Sequence, residues 1–117
     1  MARGLLSLLL ATPAAAVTIY ATSYNDHSLN VLTLNGSSLT LVSKNADCGS
    51  EPTWLTLDHA KSTLYCLNEG WGGKSSLTSY KTNADGSLST INVLPILKSP
   101  VASTLYGTND SALAIAF

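Results

Sequence analysis

Glu69, in the tetrapeptide Leu67-Asn68-Glu69-Gly70, is the side chain best placed to do chemistry, because a carboxylate stands there where an apolar run meets a glycine-containing loop. Such a group can activate water or hold a ligand, and hydrolysis of an acyl bond needs that base together with a cation or N–H group for the developing oxyanion. Glu51, beside Pro52, and His27, in Asn25-Asp26-His27, come next as catalytic candidates. Each has a plainer reading: Glu69 as a loop carboxylate meeting backbone N–H groups or solvent, Glu51 as a rim charge, and His27 as a polar loop residue. Cations are scarce. The only arginine is Arg3, and Lys44 and Lys74 read first as solvated loop residues.

Other constellations are weaker. Two cysteines and two histidines lack compact metal-ligand spacing, so no metal is expected. Gly70-Trp71-Gly72-Gly73 has no continuation into the helix that a phosphate-binding loop requires. No Gly-x-Ser-x-Gly elbow occurs. No redox cofactor site is visible, and no cofactor is expected. Trp71 has two readings, a platform for a sugar face or an aromatic covering a seam in the fold, whereas Trp54 reads as core.

Those residues must be held by a small chain. Its 117 residues are 45% hydrophobic and 11% charged, which suits one small domain or part of a larger one. The formal net charge of −1 gives no electrostatic reason to expect nucleic acid or an acidic membrane surface as partner. No apolar run approaches the roughly 20 residues of a spanning helix. The opening stretch MARGLLSLLLATPAAA has the form of a signal peptide over 1–16, with Arg3, an apolar run from Leu5 to Ala11, and small residues Ala14 and Ala16 before a cut. It implies secretion. A buried first strand or a misplaced gene start are its alternatives, and they leave the protein cytoplasmic. Cys48 and Cys66 fit an oxidising compartment, as do the sequons at Asn35 and Asn109, which are candidate glycosylation sites.

After Val17 the pattern is one of strands. Short runs rich in Thr, Val, Leu and Tyr alternate with Asn, Asp, Gly and Ser clusters. Strands are expected at 17–24, 28–34, 39–43, 53–58, 63–67, 76–81, 88–93, 101–106 and 112–117. Asn35-Gly36 and Asp85-Gly86 supply the turn chemistry of hairpins.

The strands also repeat. Tyr20 aligns with Tyr65, Leu29 with Leu77, Leu39 with Leu88 and Pro52 with Pro100, at offsets of 45, 48, 49 and 48 residues. A four-stranded unit at that interval is the sign of a β-propeller blade. The predicted fold is therefore all-β, an incomplete propeller of antiparallel four-stranded repeats. Residues 17–44 give three strands of one blade, 53–94 a complete blade, and 100–117 two strands of a third. No ring closes from that number, so the chain reads as a fragment, a truncated product or an incomplete gene model, whose unpaired edges invite self-association.

CGSEPTWLTLD, KSTLYCLNEG, GKSSLTSYKTNADGSL and SPVASTLYG, in that order, resemble the N-terminal part of fungal proteins of the lactonase family. That family contains 6-phosphogluconolactonases and carboxy-cis,cis-muconate cyclases, and the likeness covers nearly everything after Val17. It implies a seven-bladed propeller with a polar site at the central channel, acting on a small anionic lactone or carboxylated substrate. In two respects the chain departs from the pattern: it ends in LAIAF where the family implies a histidine, and it has no arginine after Arg3 to grip an anion.

Strand direction sorts the loops by face. One face receives 25–27, 44–51 and 68–75, hence His27, Lys44, Glu51, Glu69, Trp71 and Lys74. The opposite face receives Asn35, His59, Asn83 and Asn109. This arrangement makes Glu69 the first candidate for a base or substrate ligand, with Glu51 and His27 behind it. Cys48 and Cys66 approach the same face, so a disulfide there and two buried thiols are both open. Three functions compete: a lactonase-family enzyme seen through its N-terminal part, a propeller-derived module binding carbohydrate or protein without turnover, and a nonfunctional truncation.

Overall fold

The computed structural model describes residues 15–117. Nearly all of the expected signal segment, 1–16, thus lies outside the described residues. The strands are β1 (Val17–Ser23), β2 (Ser28–Asn35), β3 (Ser38–Asn45), β4 (Pro52–Asp58), β5 (Thr63–Asn68), β6 (Ser76–Thr82), β7 (Leu88–Pro95), β8 (Ala102–Tyr106) and β9 (Ala112–Ala116). One short 3-10 turn, Thr108–Asp110, joins the last two. No helix among the described residues is long and apolar enough to cross a membrane.

All pairing is antiparallel between chain neighbours, giving sheets β1-β2-β3, β4-β5-β6-β7 and β8-β9. The sequence repeat is reproduced residue by residue in their register. Tyr20 pairs with Val31 and Tyr65 with Ser79, while Leu34 pairs with Leu39 and Thr82 with Leu88. Each pair in the first sheet thus recurs in the second at the expected interval, which makes β1, β2 and β3 the counterparts of β5, β6 and β7. The complete sheet carries one further strand, β4, on its inner side, and β4 lies between β1 and β8.

The core forms where the first two sheets meet. Leu29, Cys48, Leu64, Cys66 and Tyr80 are all buried, with Tyr20, Leu55, Leu57 and Leu88 packed against them. Fully burying a leucine-sized side chain stabilises by about 1.5–3 kcal/mol. The first sheet contributes a single face to this seam, and its other face, carrying Val17, Leu34, Leu39 and Leu41, is covered by nothing among the described residues.

On the far side of the second sheet, cross-strand pairing aligns Trp54, Leu67, Leu77 and Leu94. The two-stranded third sheet covers the inner part of that row. Leu67 is accordingly buried, while Leu94 is exposed. Trp54, expected in the core, is 44% exposed, and its indole N–H donates to the Ser103 carbonyl at 3.0 Å. The reason is an open groove of about 370 Å³, lined by Trp54, Ala102, Ala114 and Ala116, which leaves one side of the indole uncovered.

Lys61 holds the third sheet in place. Its ammonium contacts Asp58 Oδ2 at 3.2 Å and donates to the carbonyls of Asn109 and Asp110 at 3.0 and 2.6 Å. Burial raises the Asp58 carboxyl, but the Lys61 amide and ammonium outweigh it and hold the group below its ordinary value.

Tyr80 is wholly buried and its hydroxyl has no hydrogen-bond partner. Burial, with the negative charge of Asp47 behind it, pushes the phenol well above its ordinary range. Because an unpaired buried hydroxyl carries a desolvation penalty of about 1–3 kcal/mol, Tyr80→Phe is expected to leave stability unchanged or raise it by about 1 kcal/mol. Urea denaturation of the two proteins checks this, and a clear loss in the variant would mean that the hydroxyl is satisfied in solution.

Candidate functional site

Three loops gather at one face: Tyr24 to His27 after β1, Ala46 to Glu51 before β4, and Glu69 to Ser75 after β5. The second of these crosses from the outermost strand of the first sheet to the innermost strand of the next, and it is tied down along its length. Thr78 donates to the Asp47 carbonyl at 2.9 Å and Thr90 to the Asp47 carboxylate at 2.6 Å. Cys48 is bonded to Cys66 on β5, with Cα atoms 5.8 Å apart and both residues buried.

Asn68, at the end of β5, is 5% exposed and joins two of the loops. Its carbonyl oxygen accepts from the Glu51 amide at 2.9 Å, and its amide donates to the Lys74 carbonyl at 3.1 Å. The Glu51 carbonyl in turn accepts from the Glu69 amide at 2.9 Å. Gly49 has φ +113°, and a Cβ there would strike the Asn68 side chain, so a glycine allows this approach.

The Glu69 loop folds tightly. Ser75 donates its hydroxyl to the Glu69 carbonyl at 2.7 Å, and the Gly73 amide donates to the Gly70 carbonyl at 3.1 Å. That bond closes a four-residue turn with Trp71 and Gly72 at its corner. At Gly70, φ is +68° and a side chain would strike the backbone of Lys74 and Ser75. Trp71 is therefore held outward on a compact base and is 66% exposed.

Glu69 lies at the start of this loop, with two hydroxyls on one of its carboxylate oxygens. The Tyr24 phenol lies 3.1 Å and the Thr53 hydroxyl 3.2 Å from Oε2, and these two hydroxyls are 2.8 Å from one another. The Tyr24 and Trp71 rings meet edge-on, with centroids 5.3 Å apart and planes at 78°. Hydrogen bonding from the Trp71 indole N–H holds the carboxyl below its ordinary value, assisted by Tyr24 and Thr53 and opposed by partial burial. Donors that favour the ionised form keep Glu69 charged at neutral pH. A group held so is a firm hydrogen-bond acceptor and a correspondingly weaker base.

The three carboxylate and imidazole candidates share the face without forming one constellation. Glu51 turns its carboxylate to the Ser50 hydroxyl at 2.6 Å, and the His27 Nδ1 meets the Ser50 carbonyl. Neither side chain reaches Glu69. The residues that do are Tyr24 and Thr53, which no motif in the sequence marks. The available signal is positional: Tyr24 directly follows β1 and Thr53 is the second residue of β4, and both strand ends emerge at the Glu69 face. Lys44 pairs with Asp26 at 3.1 Å, half-exposed, and not with Glu69.

His59 lies on the opposite side. It lines a groove of about 330 Å³ with Thr18, Tyr20, Leu57, Asn83 and Gly86, and no carboxylate lines that groove. Asn35 and Asn109 occupy exposed turns on that side, away from Glu69. Among the described residues no group of three or more His, Cys, Asp or Glu side chains is placed to hold a metal ion.

No curated protein and no solved structure matches the chain. The family model described as lactonase, 7-bladed beta-propeller matches residues 18–117, which takes in every described strand but the first residue of β1. With the strand order, the recurring register and the inner strands brought side by side, this match makes the chain a member of the lactonase family of seven-bladed β-propellers.

Proposed function

We propose that the face around Glu69 forms part of a site for a sugar-derived lactone, in a protein of the 6-phosphogluconolactonase kind or the related muconate-lactonising kind. The observation that carries this is the clustering of an ionised, multiply hydrogen-bonded carboxylate with exposed aromatic and hydroxyl groups at the inner ends of two adjoining sheets. In this reading Glu69 holds substrate or a water molecule, while Glu51 and His27 shape the rim. Residues 17–44, 53–94 and 100–117 act as parts of three successive blades.

Hydrolysis also needs a group to stabilise the oxyanion. None of the described lysines is paired with Glu69, so we read the 117-residue chain as inactive by itself. The exposed Leu39, Leu41, Leu94 and Leu97 support self-association of the isolated chain. The buried Cys48–Cys66 bridge supports a secreted, oxidising setting.

A test uses gluconolactam, a ring-closed analogue that does not hydrolyse, against open-chain gluconate. Amide resonances of 46–51 and 69–75 are expected to shift with the lactam and not with gluconate, and gluconolactone hydrolysis at constant pH is expected to run at its background rate. Equal responses to the ring and the open chain would overturn the lactone reading. Accelerated hydrolysis that falls about tenfold in Glu69→Gln, a barrier change of about 1.4 kcal/mol, would instead overturn the inactivity of the isolated chain.

A further inference from the structure

We infer that Trp71 and Glu69 form a subsite for the neutral, hydroxyl-bearing face of a saccharide ring, an assignment that rests on the lactone reading for its place in the substrate. Three observations converge on it. Trp71 is 66% exposed at the corner of a turn closed by the Gly73-to-Gly70 backbone bond, so the indole projects from the loop and is not packed into the core. Its ring meets that of Tyr24 edge-on, and the same Tyr24 phenol lies 3.1 Å from Oε2 of Glu69. Whichever of the two rings presents its edge, at least one indole face remains free. The neighbours Gly72 and Gly73 carry no side chains, and the space where a Cβ would stand is open at both.

The polar half of the subsite is equally specific. Both hydroxyl donors, Tyr24 and Thr53, engage Oε2 of Glu69, and neither engages Oε1. An ionised oxygen beside an apolar ring face is the pairing that suits a sugar, whose C–H face stacks on an aromatic while its hydroxyls donate to a carboxylate. Charge then sets the specificity. Lys44 is paired with Asp26, so the negative charge of Glu69 has no cationic partner among the described residues. A phosphate or carboxylate brought to this corner meets repulsion, whereas a hydroxylated ring does not. Any anionic end of the substrate must be gripped elsewhere, and this corner reads its neutral edge.

Methyl β-D-glucopyranoside, which has no lactone bond, tests the subsite apart from the reaction. In proton–nitrogen NMR spectra it is expected to shift the Trp71 indole resonance and leave that of Trp54 in place, with a millimolar dissociation constant. Glucose 6-phosphate is expected to bind about threefold or more weakly at neutral pH and low salt. Trp71→Ala should abolish binding as read at the amides of 69–75. Glu69→Gln should weaken the glucoside by about threefold and remove the discrimination against the phosphate. Acidification through the depressed Glu69 value should reproduce the Glu69→Gln effect in the unaltered protein.

An unmoved Trp71 resonance, equal movement of Trp54, or tighter binding of the phosphate overturns the inference. Because Trp71 is exposed and Glu69→Gln preserves shape, native dispersion of the remaining resonances is expected in both variants. If gluconolactam shifts the loop amides while the glucoside leaves Trp71 unmoved, the subsite fails and the lactone reading stands. The reverse result separates them the other way.

Discussion

Breaking the Cys48–Cys66 bridge is expected to cost about 3 kcal/mol of stability, from the chain entropy that a crosslink at this loop length removes from the unfolded state. The two residues are 18 apart in sequence, and both sulfurs lie in the seam between the first two sheets. The cost therefore has a native-state part as well, since Cys48 is the anchor by which the 46–51 loop reaches the core. Urea denaturation with and without reductant measures the effect, and Cys48→Ala with Cys66→Ala measures it without redox chemistry. Amides of Gly49, Glu51 and Glu69 should exchange faster with solvent before the strands do, because their loop is what the bridge fastens. A change below about 1 kcal/mol, or no mass difference between alkylated samples with and without reduction, would show that the bridge does not form or constrains little.

Asn68→Leu is expected to destabilise by about 2–4 kcal/mol, because it strands two backbone partners, the Glu51 amide and the Lys74 carbonyl, each worth about 1–3 kcal/mol when left unpaired in a buried setting. The side chain is 5% exposed, so water cannot readily replace it. Asn68→Asp separates the two bonds: it keeps an acceptor for the Glu51 amide and loses the donor to Lys74, with a carboxylate placed near a carbonyl. If the leucine variant unfolds at the same urea concentration as the parent, the two loops are held independently of Asn68. A double-mutant cycle with the cysteine pair should show coupling, since both devices fasten the loop that carries Glu51.

Strands and their recurrence were legible because turn residues and alternating apolar positions are local signals, and the offset of about 48 residues survives as matched pairing registers. Even the face of each loop followed from counting strand directions. What escaped was contact across the sheets. Nothing near Tyr24 in sequence says that its phenol meets Glu69, since the two are 45 residues apart and meet only when the first two sheets pack. The exposure of Trp54 has a related cause, since whether a side chain on an inner strand is covered depends on how closely the neighbouring sheet packs over it. Glu69 is conspicuous in the sequence by its position at a strand end, while the hydroxyls around it are visible only in the structure. Its surrounding donors make it a better acceptor than base.

The two uncovered faces described at either end of the strand array are not alike. One presents Val17, Leu39 and Leu41 from the first sheet, while the other presents Leu94 beside the groove lined by Trp54 and the alanines of β8 and β9. If copies met through these surfaces, they would join head to tail, a heterologous contact, and not through a shared two-fold axis. Such growth would either close into a ring of fixed copy number or continue as a filament, and a broad, concentration-dependent size distribution would mark the second.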